Sequence, residues 1–240
     1  MKQFAIIGLG RFGTLMLEEL ADTGCELLII DKSSEVIESY KEKVSAAFVA
    51  DALSEEIIFK LIPGTIDAAI VDLGDNLEAS ILVTNYLKKL GVKRIVAKAE
   101  SDQHEEILLL VGATEVIRPN REAARRIAPL LLSSVLFNYL PISKDFAIAE
   151  VRVPQRYVGK TLIEANLRQQ HRMNVIALKK PDEDDYRYFL PEYRLDAGDI
   201  LLVAGKEDDL AEFAKARLPT VKAGMPDMFG KLFSRFGKRK

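Results

Sequence analysis

Three features of the sequence predict an α/β fold, a parallel sheet clad in helices and followed by a smaller α+β unit. Short apolar runs recur at roughly 20 to 25 residues between longer mixed runs, a glycine-rich turn closes the first run, and the rhythm changes near residue 143. The 240 residues are enough for one large core or two modest ones, and a composition 48% apolar and 29% charged argues against disorder throughout.

In the first half, candidate strands fall at 4–7, 26–30, 46–49, 68–71, 94–97 and 115–117, with candidate helices at 12–21, 35–40, 55–61, 77–89 and 104–111. Strands that alternate with helices join through right-handed crossovers into a parallel sheet covered on both faces. That covering explains why AIIG and LLIID are continuously apolar instead of alternating.

The glycines add an independent constraint. Gly8-Leu9-Gly10-Arg11-Phe12-Gly13 follows the first strand and opens the first helix, which is the context a Rossmann-type dinucleotide turn requires. Gly8 permits the tight turn, Gly10 clears space for a phosphate, and Gly13 lets the helix lie close to the sheet. The helix N-terminus then presents free N–H groups to the anion. Asp31 closes the second strand 18 residues beyond Gly13, where a carboxylate accepts ribose hydroxyls. It suits ATP, ADP and NAD alike and disfavours the 2'-phosphate of NADPH, because two anions would meet there. Asp51, in VADA, either approaches the nucleoside or caps the helix starting near Leu53. Asp75 and Asn76, beyond Gly74, have the same two readings, and Lys98 with Glu100 is either a ligand contact or a surface pair.

Evidence for catalysis is thin. A dehydrogenase needs a proton donor and a substrate-presenting domain near the nicotinamide, yet only some 75 residues separate position 142 from the tail. His104 reads as a helix-start residue with a capping or solvent-facing role, and His171 as part of a solvated RQQHR loop. HExxH, Walker A and Tyr-x-x-x-Lys patterns are absent. Cys25 is the sole cysteine, so no intrachain disulfide forms and a reducing, intracellular location is expected. No apolar run is long enough to span a bilayer, and the opening MKQFAIIGLG reads as a strand, not a signal peptide.

Residues 120–142 are expected to form a crossover and dimerisation helix, interrupted at Pro129, whose VLFNYLP end packs on another subunit. The small unit at 143–218 carries expected strands at 147–153, 174–178, 186–190 and 199–204 and helices at 162–167 and 206–215. In the tail, 219–240, Phe229, Leu232, Phe233 and Phe236 are spaced for one helix face among basic residues, a candidate contact with membrane or partner. The tail's net charge of +5 leaves the rest of the chain at −7, so a general nucleic-acid partner is excluded.

The ordered series IIGLGRFG, LLIIDKS, VADA, IVAKAES, EVIRPNREAARRIA, VGKTLIEANLR and LDAGDILLVAG resembles the cytoplasmic regulatory subunits of the Trk/Ktr potassium-uptake systems, the RCK or KTN domain family, over about residues 1–216. The resemblance implies a non-enzymatic gating subunit, a homo-oligomer of dimers in an octameric ring held at the inner face of the cell membrane by a potassium-translocating subunit. It implies ATP as the activating and ADP as the inactivating nucleotide, with NAD or NADH bound in related members. Gly8, Gly10 and Gly13 match the phosphate turn, Asp31 the ribose carboxylate, Asp51 the nucleoside contact, Lys98 a lysine near the nucleotide, and Arg11 an arginine reaching terminal phosphates across the subunit interface. Phe12, Lys32, Ala52, Leu73 and Glu100 complete the expected set. Glu122 matches a position that contributes to a Mg2+ or Ca2+ site between subunits, and Asn174, Val175 and Ile176 fall where some relatives bind cyclic di-AMP. The competing readings are an NAD-dependent oxidoreductase and a redox-sensing nucleotide-binding protein.

Overall fold

The computed structural model describes residues 1–214, which divide into two compact units, Met1–Glu122 and a second beginning at Ala123. The expected amphipathic tail at 219–240 lies outside the described residues.

In the first unit the chain runs β1 (Gln3–Ile7), α1 (Arg11–Ala21), β2 (Glu26–Asp31), α2 (Ser34–Tyr40), β3 (Ala46–Val49), α3 (Glu55–Leu61), β4 (Ala68–Val71), α4 (Leu77–Lys89), β5 (Ile95–Lys98), α5 (Asp102–Val111) and β6 (Glu115–Ile117). All strands are parallel in the order β3-β2-β1-β4-β5-β6. Strand order reverses between β1 and β4, which leaves a crevice beyond their C-terminal ends. Alternate residues of the strands feed two cores. Ile6, Ile29 and Ile70 pack with Leu17 and Ile37 of α1 and α2 on one face, and Ile7, Val71 and Ile95 pack with Ile58, Leu87 and Leu108 of α3, α4 and α5 on the other. Ser33, Ser54, Asn76 and Ser101 cap α2, α3, α4 and α5 by accepting an amide of the first turn, so each crossover helix starts at a defined residue.

α6 (Pro119–Leu131) leads out of the first unit. The second contains β7 (Leu136–Pro141), β8 (Phe146–Arg152), α7 (Leu162–Ala165), α8 (Leu167–His171), β9 (Asn174–Lys179), β10 (Ile200–Lys206) and α9 (Glu207–Phe213), with an antiparallel sheet in the order β7-β8-β10-β9. The turn entering β10 is closed by Asp199, which accepts the Tyr193 hydroxyl and the Asp196 amide and pairs with Lys180 at 2.7 Å.

Four expectations need correction. The crossover helix does not reach 142: it ends two residues past Pro129, and Leu136–Pro141 is a strand. A register shift between Leu136 and Asn138 puts Leu136 and Tyr139, three residues apart, on the same buried side, a spacing that imitates a helix. The expected strand at 186–190 reduces to a single bridge between Arg187 and Leu178, and Pro191 follows it. The expected helix at 162–167 is two short helices broken at Asn166, whose φ of +43° is left-handed. Neither histidine is solvated as expected: His104 is 2% exposed, and His171 ends α8 with its Nε2 in a hydrogen bond with the Tyr157 hydroxyl.

His104 links three elements. Ser80 of α4 donates to the Leu77 carbonyl, so its oxygen accepts from His104 Nε2 at 2.8 Å, while His104 Nδ1 accepts the Glu100 amide at 3.3 Å. The network therefore assigns the neutral ring with its proton on Nε2. Burial lowers the His104 pKa, and the Glu100 charge opposes that shift only in part.

Two outcomes follow. Leu136→Ala should cost roughly 2–4 kcal/mol in urea unfolding, as expected for a buried strand leucine. Because the folded chain holds His104 neutral, the unfolded chain binds the extra proton below the ordinary imidazole pKa of about 6.5. The His104 contribution to stability should therefore fall as pH drops through that value, and His104→Gln should flatten the acid limb of stability measured from pH 8 to 5.

Candidate functional site

The crevice at the β1/β4 switch is a cleft of about 280 Å³. β1 hands the chain to a turn in which Gly8 has φ +84° and donates its amide to the Ile30 carbonyl at 2.8 Å. Gly8, Gly10, Asp31, Lys32, Asp51, Ala52 and Leu73, all expected from the sequence, line the cleft, and Ile30, Val36 and Leu53 add apolar wall. The amides of Gly10, Arg11 and Phe12 have no acceptor among the described residues, so three N–H groups at the start of α1 are free for an anion.

Two carboxylates hold this turn from opposite sides. Asp31, at the end of β2, accepts the Leu9 amide at 2.7 Å through one oxygen and the Ser33 amide at 2.8 Å through the other. Asp72, immediately after β4, accepts the Gly13 amide at 2.9 Å and the Gly74 amide at 3.4 Å. Asp72 was not anticipated. The signal was present, since it follows β4 as Asp31 ends β2, but an aspartate before Leu-Gly-Asp-Asn reads as an ordinary turn residue.

The proximity of Asp72 accounts for the glycines. A Cβ on Gly8 would stand within 3 Å of the Asp72 carbonyl oxygen, and one on Gly10 within 3 Å of the Asp72 carboxylate. A Cβ on Gly13 would meet the Gly8 carbonyl equally closely. Gly13 itself is buried behind the turn and does not line the cleft.

The other expected residues lie around this centre. Lys98 Nζ is 3.4 Å from Asp72 and 2.7 Å from Glu100. Burial opposes its charge, but the Glu100 hydrogen bond and the Asp72 charge outweigh it and raise the Lys98 pKa. Lys98 and Glu100 line a separate hollow of about 120 Å³ with Arg118, Asn120 and Arg121, and both arginines pair with Asp102. Asp51 faces the cleft and accepts the Leu53 amide at 3.0 Å in the turn before α3, whose cap is Ser54 and not Asp51 as the capping reading had it. Asn76 is both the N-cap of α4 and part of the wall. Arg11 is exposed at the first position of α1, without an ion pair among the described residues, and Phe12 packs against the core under α1. Glu122, in the first turn of α6, accepts the Arg118 amide at 3.4 Å, and no cluster of three or more metal-ligating side chains occurs among the described residues. Asn174, Val175 and Ile176 lie on β9 at the edge of the second sheet, with Asn174 and Ile176 exposed.

The TrkA-N domain family matches residues 4–119 and the TrkA-C domain family residues 147–217. The chain is 34% identical to the Ktr system potassium uptake protein C of Bacillus subtilis, over 91% of this chain and 99% of that protein. It is 32% identical to the Ktr system potassium uptake protein A of Vibrio alginolyticus, over 90% and 97%. Among solved structures it is similar in fold to the GsuK RCK domain, with a TM-score of 0.62 at 17% identity, and to the GsuK channel bound to NAD, with a TM-score of 0.64 at 17% identity. The match covers 91% and 92% of this chain but spans less than half of each of those structures, 48% and 40%.

Gly8→Ala should be costly twice over, because it adds a side chain at positive φ and drives it into the Asp72 carbonyl. The expected loss is roughly 2–4 kcal/mol in urea unfolding, together with loss of any ligand held by the turn.

Proposed function

Because the chain belongs to the family of proteins that join a TrkA-N to a TrkA-C domain, we propose that it is the nucleotide-binding regulatory subunit of a potassium-uptake system. One observation carries this reading: the cleft offers three free amides beside the carboxylate that ends β2, in a chain whose full-length relatives are potassium-uptake proteins.

In this reading Gly10 gives the phosphates room, the amides of Gly10, Arg11 and Phe12 hold them, and Asp31 and Asp51 accept the ribose hydroxyls with their remaining lone pairs. Lys32, Ala52 and Leu73 contribute wall, and Lys98 with Glu100 sets the charge behind the turn. ATP and ADP are the proposed ligands, exchanged at one site, and NAD or NADH fits the same contacts up to the pyrophosphate. Arg11 reaches the terminal phosphate of a nucleotide held by a neighbouring copy, since its guanidinium forks to phosphate oxygens and its exposed position leaves it available.

The working assembly is a ring of dimers, an octamer, seated beneath a membrane potassium-translocating subunit that holds the chain at the inner face of the cell membrane. No described helix is long and apolar enough to cross a membrane. Exchange of ATP for ADP changes the charge facing Arg11 and selects between two packings of the ring, which pull differently on the pore. Glu122 contributes to a Mg2+ or Ca2+ site completed by a second copy, and the edge strand β9, with Asn174 and Ile176 exposed, takes cyclic di-AMP between two second units.

Titration calorimetry of nucleotide-stripped protein with ATP, ADP, NAD+ and NADH, with and without Mg2+, tests the proposal. ATP and ADP should bind tightly, and Arg11→Ala should weaken ATP by about tenfold while leaving ADP nearly unchanged. Binding confined to NAD+ or NADH would remove the energy-sensing reading, and substrate-dependent hydride transfer would replace it with an oxidoreductase.

A further inference from the structure

Asp72 sits where a nucleotide-binding turn can least tolerate a negative charge. Its side chain is fully buried, it lines the cleft, and it occupies the amide of Gly13, the next donor in sequence after the three left free by Gly10, Arg11 and Phe12. Among the described residues only Lys98 pairs with it, and that ammonium lies closer to Glu100. Two carboxylates thus share one cation, leaving a net charge of about −1 behind the phosphate-binding amides.

We infer that Asp72 is a charge-selecting residue, one that lowers affinity for a nucleotide in proportion to the negative charge its phosphates carry. This inference rests on the nucleotide reading of the cleft. The adenosine contacts through Asp31 and Asp51 are common to NAD+, ADP and ATP, so they cannot separate these ligands. A fixed anion behind the turn can, because its repulsion grows with the charge brought against it, and burial keeps that repulsion from being screened by solvent. The penalty is smallest for NAD+, larger for ADP and largest for ATP. For a subunit that reports the ratio of ATP to ADP, such a penalty prevents ATP from holding the site permanently. The same carboxylate anchors Gly13, so the turn's shape and its charge selectivity come from one side chain.

Asp72→Asn separates these two roles. The amide oxygen still accepts the Gly13 N–H, only the long 3.4 Å contact from the Gly74 amide is given up, the volume is nearly unchanged, and Lys98 keeps Glu100. The full chain, stripped of nucleotide, is titrated without Mg2+ against ATP, ADP and NAD+ at low and high KCl, with its melting temperature measured alongside. In the variant, ATP should bind at least about tenfold tighter, ADP should gain less and NAD+ least, and the differences should persist at high KCl, because a buried charge is screened little by salt. If the three affinities stay put, or fall together, Asp72 is only a structural anchor and the inference fails. Asp72→Ser, which also removes the charge, gives the same readout if the asparagine variant does not fold. Failure of the wild-type chain to bind any nucleotide would remove the nucleotide reading itself, whereas wild-type binding with a flat Asp72→Asn response removes only the selectivity.

Discussion

The first unit is organised by the close approach of the β1–α1 turn to the end of β4. β1 lies between β2 and β4, with Ile7 in register with Ile30 on one side and Val71 on the other. The Gly8 amide bonds to Ile30 and the Asp72 amide to Ile7, so the ends of three strands are tied at one level. The turn then has to pass over Asp72 with no room for side chains, which is why positions 8 and 10 are glycine. Flexibility is a secondary matter here: at Gly10 the backbone is ordinary, with φ −64°, and only the space is missing. The glycine-turn side of the cleft is set by that crossing, because α1 can start only where the turn releases it.

Once the turn is clamped by Asp31 and Asp72, its electrostatics follow. Helix α1 begins without an acidic residue in its first turn and without a side-chain cap, so its free amides and dipole face the cleft. Asp72 spends part of that positive end on itself, and Lys98 returns part of the charge. The arrangement reaches further through His104, whose neutral ring ties the Glu100 amide to Ser80 in α4, one turn after the Asn76 that lines the cleft. The strand end that carries Lys98 and the helix that walls the site are therefore joined by two hydrogen bonds through a single buried ring.

The alternation of elements was legible because parallel strands buried on both faces are continuously apolar, and the helices between them carry recognisable caps such as Asn76 and Ser101. The glycine turn and Asp31 were legible because their spacing has one mechanical explanation. Asp72 was not, since its importance depends on Gly10 and Gly13, about 60 residues earlier in the chain, and no local pattern reports a contact of that range. The second unit was less readable for the opposite reason, that local patterns misled. The bulge in β7 gave Leu136 and Tyr139 a helical spacing, and Asn166 hid a left-handed break inside an otherwise regular helical run. His104 stands at a polar helix start, yet it is buried by its partner Ser80, 24 residues earlier.

The chemistry of the cleft wall also bears on what the chain does. The titratable residues lining it are Asp31, Asp51, Asp72 and Lys32, and each of the three carboxylates accepts at least one backbone amide. These carboxylates are thus committed in part to holding the backbone of the turns that shape the cleft. Neither histidine lines the cleft: His104 has both ring nitrogens engaged within the first unit, and His171 packs in the second against Tyr157 and Phe213. A wall of this kind can recognise a ligand by shape, by its hydroxyls and by its charge. Those are the properties the proposed nucleotide-gated role calls for, in which binding is read out as a change in packing.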